Sequence, residues 1–558
     1  MRSQSRAFPN SVFQASTSRL ALWVLLGAGA LSIVCYWAFF VRPFGLLDLA
    51  HRPLLDLFKL SQTDPAARTR VIAGYLVLGA LYWLGWRAAQ RVERQDARAA
   101  WLVVIASALI AAGVLLFMYP FGAADLFDNI MHGRILGVYG ANPFTDTAAQ
   151  FRGDPIYAFT AWKRTTSAYG PAWEVLAGGT AWLVHQIVGV SHPPRVSVVA
   201  NAVAFKLLSG AFLAASAAVV ALILRRKAPE RVLAGVVLLA WNPVILVETL
   251  GNGHNDIAMI FWVLAAAWAL VGGRYTLAVL ALVVGALVKF VPVLMLPAAG
   301  LIAWRELGGM EGNEGKKGNE GKNGSRVRAT RYAARITHHA SRITYHVSRF
   351  APRLRFLLIT GAASVALIVL FYAPFWQGVE TLSIERRQAL FTASLPAAAW
   401  AALLPSLGKE LTSQRVSTVA AVLTALFALW QGAQAWRDRS WLSFTRASFH
   451  IIMFYLLITC LWFQSWYAIW PLGLAALLPP GHAARLAALF GYVALAKPLA
   501  FEPLWLWHRP LPPKEWRELR LGPALMALPI VYALMAWVDG KVRREKRESR
   551  ETEGNQES

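Results

Sequence analysis

The stretch LALWVLLGAGALSIVCYWAFFV, residues 20–41, contains no charged side chain. At a rise of about 1.5 Å per residue, a helix of this length crosses the roughly 30 Å hydrocarbon layer of a bilayer. The stretch is too long for the core of a signal peptide, and no small-residue cleavage site follows it. We therefore interpret it as a membrane-spanning helix.

Similar apolar stretches recur along the chain, in which 57% of the 558 residues are apolar. That share exceeds what a soluble domain buries. The other predicted spans are 71–88, 100–120, 198–224, 232–249, 256–271, 355–375, 415–436, 446–463, 467–479, 484–500 and 522–539. Residues 275–304 are apolar but interrupted at Lys289 and Pro292, which predicts a hairpin of two short helices or one broken helix. The sequence thus predicts an all-α polytopic membrane protein with about 12–14 transmembrane helices. Cys35 and Cys460 lie inside apolar spans, which argues against a disulfide framework.

The net charge of +25 follows the predicted membrane topology. Basic clusters within 2–19, 87–98, 225–231, 437–446 and 541–550 fit one face under the positive-inside rule, so we expect no nucleic-acid partner. Both termini are predicted to be cytoplasmic, including a charged tail at 541–558. This topology requires that 275–304 enter and leave on the cytoplasmic side and that 171–190 not fully cross.

Residues 305–355 differ in composition from the rest of the chain. They contain the low-complexity stretch GMEGNEGKKGNEGKNG, followed by the near-repeat RITHHAS and RITYHVS. We predict a flexible basic cytoplasmic insertion between transmembrane modules at 1–304 and 356–540. Attraction to anionic lipid head groups is an alternative function. The repeated histidines have no Cys or carboxylate at ligand spacing, so we predict no metal site.

The loop at 121–170 carries the first group of candidate site residues, on the predicted outer face. If the chain stays helical after Pro120, then Asp125, Asp128 and His132 lie on one helix face. Two neighbouring carboxylates repel, which raises the pKa of one of them and suits it to act as a base. The alternative is a water-facing helix end whose acids complement Arg134 or a neighbouring helix.

A second group occurs in GNGHND, residues 251–256, with Glu248 just before it. Ionisable groups such as His254 and Asp256 are costly at a membrane boundary unless they line a cavity or pair with one another. Asn255 and Asp256 are alternatively caps of the following helix. Lys289 lies within an apolar stretch, either as a snorkelling structural residue or as a partner for a phosphate.

Several motifs resemble those of the multi-pass GT-C glycosyltransferases, and in particular the bacterial polyprenol-phosphate-mannose-dependent mannosyltransferases. The motifs are DLFDNIMHGR at 125–134, GANPF at 140–144, SAYGPAW at 167–173, WNPVILVETLGNGHND at 241–256 and LVKFVPVLMLP at 287–297. They cover roughly residues 100–300, and QSWYAIWPL at 464–472 adds a further match.

The resemblance implies a GT-C-like helix bundle in a bacterial-type plasma membrane, with the catalytic module in residues 1–304. It implies inverting transfer of a sugar, mannose or another hexose, from a polyprenyl-phosphate donor to a glycan or lipid acceptor on the outer face. Asp125 matches the catalytic base, whereas Asp128 departs from the family pattern and is a second catalytic candidate. A phosphodiester donor has a good leaving group, so a single base suffices, and no cofactor is predicted.

Lys289 is the candidate to stabilise the departing phosphate, with His254 and Arg134 as alternatives. Candidates to stack on sugar rings, or alternatively interfacial anchors, are Tyr169, Trp173, Trp466 and Tyr467. The remaining substrate-binding candidates are His132, Asn142, Glu248, Asn255 and Asp256.

Two other functions are compatible with a polar cluster in a membrane protein. A lipid or sugar transporter or flippase would use these residues as a pathway, but we find no pair of matching halves in the sequence. A non-catalytic assembly subunit would lack the base, whereas Asp125 is present.

Overall fold

A computed structural model describes residues 10–189, 193–309, 331–382, 390–500, 519 and 522–556. Within these ranges the regular elements are helices, together with isolated bridges between Gly45 and Met118 and between Thr392 and Trp462. The predicted all-α class is confirmed. The predicted topology also puts residues 376–414 and 501–521 on the outer face, and parts of both segments lie outside the described residues, as does the Gly/Asn/Glu/Lys stretch of the insertion.

The α-helices of the N-terminal half are α1 (Asn10–Cys35), α2 (Leu46–Leu49), α3 (Leu57–Thr63), α4 (Ala67–Ala89), α5 (Ala97–Leu116), α6 (Asp125–Gly137), α7 (Pro171–Val188), α8 (Pro194–Lys227), α9 (Val232–Ala240), α10 (Pro243–Leu246), α11 (Asp256–Val271), α12 (Tyr275–Val288) and α13 (Leu296–Gly309). Those of the C-terminal half are α14 (Arg331–Tyr372), α15 (Leu395–Leu407), α16 (Lys409–Arg437), α17 (Ser443–Phe454), α18 (Ile469–Ala475), α19 (His482–Ala500) and α20 (Gly522–Gln556).

Eight helical segments among the described residues are long and apolar enough to cross a membrane. They are Thr17–Val41, Ala67–Ala89, Ala97–Leu116, Pro194–Lys227, Val291–Gly308, Phe350–Phe375, Lys409–Arg437 and Gly522–Gly540. A ninth span results if Pro229–Ala240 and Pro243–Gly251, bent by 46°, cross together. Five further apolar helices are shorter, which is why length alone supports fewer spans than the 12–14 expected from the sequence.

The interruption predicted within 275–304 is present. Helix α12 ends at Val288, Lys289 has an extended backbone, and a 3-10 turn at Val291–Met295 leads into α13. Pro292 lies inside that turn, where its missing N–H does not break a helical ladder. Helix α7, which we expected not to cross, is not among the eight long apolar segments.

The described part of the 305–355 insertion is helical, and the flexibility expected from its composition stays a prediction. Helix α13 continues to Gly309, and α14 begins at Arg331 and includes the near-repeat. A seven-residue repeat returns to nearly the same helix face every two turns, so this pattern is compatible with a helix.

Candidate active site

A new helix presents the acidic motif of the 121–170 loop. Helix α5 ends at Leu116, the chain runs irregularly past Pro120, and α6 begins at Asp125. Both aspartates lie in the first turn of α6, where negative charge complements the helix dipole. Asp125, Asp128 and His132 therefore have the predicted helical spacing, although helix α5 does not extend into the motif.

Close glycine contacts hold α6 against α7. A Cβ on Gly133 would lie 2.6 Å from the carbonyl oxygen of Ala177, and one on Gly137 would lie 2.1 Å from that of Gly178. Such distances are shorter than van der Waals contact, so only glycine permits this approach. The indole Nε1 of Trp173 on α7 donates to Asn129 Oδ1 on α6 at 2.8 Å, which fixes the two helices in register.

Asp128 is a buried anchor for the 121–170 loop. Its Oδ1 accepts hydrogen bonds from the backbone N–H groups of Ala161 and Trp162, both at 3.0 Å. Burial raises the pKa of Asp128 to about 7, and the charge of Asp125 adds to this, while the two backbone bonds oppose it. The Asp128 side chain thus ties α6 to a segment more than thirty residues away, and the spacing of the two aspartates did not reveal this function.

Asp125 has a different environment. Its backbone carbonyl accepts from Asn129 Nδ2 at 2.8 Å, but among the described residues no side chain or N–H group bonds its carboxylate. The residue is partly exposed. Burial raises the pKa of Asp125 to about 6, the positive charge of Lys289 opposes this, and the charge of Asp256 adds to it. A carboxylate without a protein partner is available to a substrate.

Lys289, at the break between α12 and α13, pairs with Asp256 at the start of α11. Its Nζ lies 2.6 Å from Asp256 Oδ1, and the same oxygen accepts from Trp470 Nε1 at 2.5 Å. The ammonium also lies 4.8 Å from the ring centroid of Tyr467, 5.2 Å from that of Trp470 and 5.7 Å from that of Tyr169. Two of the aromatic residues predicted to stack on sugars therefore contact the lysine.

The motif SAYGPAW brings Tyr169 to this lysine. The N–H of Gly170 donates to the carbonyl of Val288 at 3.0 Å, directly before Lys289, and a Cβ on Gly170 would lie 2.0 Å from the carbonyl oxygen of Leu287. Ser167 Oγ donates to the buried Glu174 and accepts from the N–H of Tyr169. Residues 167–170 are thereby attached to the end of α12.

Residues 248–255, which directly precede Asp256, form another part of the candidate site. Asn252, which the sequence reasoning missed, donates to Glu248 Oε2 at 2.9 Å and accepts from the N–H of Gly122 at 3.0 Å. His254 stacks on Trp466 with ring centroids 4.0 Å apart, and its Nε2 lies 3.3 Å from Glu248 Oε2.

Asn255 precedes α11 at the N-cap position, but its side chain makes no capping hydrogen bond. Both polar atoms of its amide, and Oδ2 of Asp256, are buried without a hydrogen-bond partner among the described residues. Buried polar atoms are costly unless they are hydrogen-bonded. The capping interpretation therefore does not explain Asn255, and these atoms can accept or donate hydrogen bonds to a bound substrate.

The remaining candidates form the framework of the loop. Arg134 Nε donates to Asp154 Oδ2 at 2.7 Å, and both side chains are buried. Asn142 donates to the carbonyl of Phe375 at 2.8 Å and caps its own turn by accepting from the N–H of Phe144. His132 is buried within α6. The structure thus places Asp125, Tyr169, Asp256, Lys289 and Tyr467 together. It gives Arg134 a partner within the loop and Asn142 a partner at Phe375, just after α14.

Comparison of the chain with known proteins indicates its family. A family model described as "Alpha-(1->6)-mannopyranosyltransferase, N-terminal domain" matches residues 21–305. The chain is also similar to alpha-(1->6)-mannopyranosyltransferase A of Corynebacterium glutamicum, with 27% identity over 237 residues, which is 42% of this chain and 46% of the relative. The match therefore spans about half the length of that curated relative. No solved structure matches the chain.

Proposed function

Since the chain belongs to the alpha-(1→6)-mannopyranosyltransferase family, we propose that it is a membrane glycosyltransferase that transfers a mannosyl residue. The proposed donor is a polyprenyl-phosphate-linked mannose, and the acceptor is a hydroxyl group of a glycan or lipid at the outer face. The observation that carries the proposal is the Asp125 carboxylate, which has no protein partner in the described residues yet lies within electrostatic reach of the Asp256–Lys289 pair.

The proposed reaction is a single displacement at the anomeric carbon. The acceptor oxygen forms a bond to that carbon while the bond from the carbon to the phosphate oxygen breaks, and the configuration inverts. Asp125 takes the proton of the attacking hydroxyl, for which it must be ionised. The leaving group is polyprenyl phosphate, which carries the electron pair of the broken bond.

Lys289 is the proposed partner of that phosphate. An ammonium has three N–H donors, and the bond to Asp256 Oδ1 uses one of them. Tyr169, Tyr467 and Trp470 surround the lysine with aromatic rings, which stabilise a cation. Asp256 therefore holds the positive charge in place before the donor arrives, so that little reorganisation is needed as charge develops on the leaving oxygen.

The sugar hydroxyls are proposed to bond the unpartnered polar atoms of Asn255 and Asp256. Sites that leave polar groups unpaired in the absence of substrate discriminate strongly against analogues that lack the matching hydroxyl. Trp466, stacked on His254, adds an apolar face at the same side of the cluster. Because Trp466, Tyr467 and Trp470 come from the C-terminal half, both halves of the chain contribute to the proposed site.

The test is to incubate the purified full-length protein with a panel of polyprenyl-phosphate sugars and a mannoside acceptor, and to determine the anomeric configuration of the product by NMR. We expect transfer from the mannosyl donor with inversion. Retention of configuration would contradict a single displacement. Movement of the donor across a proteoliposome membrane without any transfer would instead support the transporter alternative.

A further inference from the structure

A groove remote from the candidate active site lies among the start of α12, the end of α13 and α14. Its volume is about 680 Å³. Its lining includes the apolar side chains of Leu277, Leu307, Phe356 and Ile359 and the basic side chains of Arg274 and Arg355. The groove is thus an apolar surface with two guanidinium groups.

The two arginines of the groove have side chains with no bonding partner among the described residues. Both are exposed, and among the described residues neither guanidinium has a hydrogen bond or ion pair. The neighbouring basic groups differ. Arg305 pairs with Glu306 and donates to the last carbonyls of α16, and Arg353 donates to the carbonyl of Trp304. The groove therefore has uncompensated positive charge and complements an anion.

The groove borders the membrane. Helix α14 has 42 residues, about 63 Å at 1.5 Å per residue, which is twice the thickness of the hydrocarbon layer. Its apolar part, Phe350–Phe375, is mostly unburied, with large exposed side chains such as Leu358 and Val365. These side chains face lipid if the segment spans. Arg355 is five residues into this segment, about 7.5 Å along the helix, close to the depth of the head groups.

We propose that this groove binds an anionic phospholipid. The lipid phosphate lies between Arg274 and Arg355, since guanidinium groups bind phosphate through paired N–H donors. The acyl chains pack on Leu277 and Ile359, which are exposed at the mouth of the groove. Basic pockets between transmembrane helices recognise anionic head groups in this manner. The proposal rests on the groove alone and does not depend on the proposed transferase activity.

The test is native mass spectrometry of the detergent-purified full-length protein titrated with phosphatidylglycerol, with phosphatidylcholine, or with inorganic phosphate. We expect saturable binding of phosphatidylglycerol in preference to the other two. The double variant Arg274→Gln/Arg355→Gln should weaken this binding by about tenfold or more, which corresponds to about 1.4 kcal/mol.

The matched control is Arg437→Gln/Arg439→Gln, which removes the same charge from two other exposed arginines at the end of α16. It should bind phosphatidylglycerol like the unmodified protein, and thermal melting should show that both double variants are folded. The proposal is overturned if the groove variant binds as tightly as the control variant, or if phosphatidylcholine or inorganic phosphate binds equally well.

Discussion

If Asp125 is the base, its protonation sets how the transfer rate depends on pH. Burial raises the pKa of Asp125 to about 6, and only the ionised form accepts a proton from the acceptor hydroxyl. With that pKa, about one molecule in ten is ionised at about pH 5. The value of kcat/KM, which reports on the free enzyme, should therefore fall about tenfold per unit of pH below about 6 and level off above about 7.

The two charges beside Asp125 should move this acidic limb in opposite directions. Asp256→Asn removes a negative charge that raises the pKa of Asp125, so the limb should move to lower pH. Lys289→Gln removes a positive charge that lowers it, so the limb should move to higher pH. A charge within about 4–6 Å shifts a carboxyl pKa by about 1–3 units, which is the upper limit for both shifts. Both variants will also lower the maximal rate, and the midpoint of the limb is the quantity to compare.

The assay measures release of polyprenyl phosphate at low donor concentration across the pH range, with each sample returned to neutral pH afterwards to exclude irreversible unfolding. A midpoint near the ordinary value of an aspartate, about 4, would refute the environment described for Asp125. Shifts of the two variants in the same direction would refute the electrostatic coupling.

Three further outcomes are expected. Asp128→Asn keeps an oxygen for the two backbone N–H donors and should retain most of the thermal stability. Asp128→Leu leaves both donors unpaired and should cost about 2–4 kcal/mol of stability, measured as a lower Tm. Equal losses in the two variants would contradict the anchoring function. Lys289→Ala should raise the KM for the lipid-linked donor more than that for the acceptor, and an unchanged donor KM would remove Lys289 from the phosphate site. Gly137→Ala should lower the Tm because its Cβ would lie 2.1 Å from a carbonyl oxygen of α7, whereas Gly179→Ala has open space around its Cβ and should not. If the Tm of Gly137→Ala is no lower than that of Gly179→Ala, the proposed helix contact is contradicted.

The sequence predicted the fold class well because membrane helices follow from apolar length. It predicted the break at Lys289 and Pro292 for a similar reason, since a charge and an imino acid interrupt an apolar run. The predicted span at 467–479 shows the limit of this reasoning. There the helix α18 covers only Ile469–Ala475 and follows a 3-10 turn, and apolar composition does not distinguish a buried short helix from a span.

Individual candidate residues of the site could be named from the sequence, but the contacts between them could not. Asp125 was separated from Asp128 by its resemblance to a family motif, and the structure adds the physical difference between them. The hydrogen bond from Trp470 to Asp256 joins residues 214 positions apart, so no local sequence pattern predicts it. Asn252, by contrast, lies inside the quoted GNGHND motif, and its position beside Glu248 on one helical turn was a usable indication.

The most direct test of the central claim compares Asp125→Asn with Asp128→Asn in purified, folded protein supplied with polyprenyl-phosphate mannose and acceptor. General-base catalysis is worth about 10²–10⁴-fold, so Asp125→Asn should lower the release of polyprenyl phosphate by that factor while Asp128→Asn remains within about tenfold of the unmodified protein. Near-normal turnover by Asp125→Asn would contradict the account.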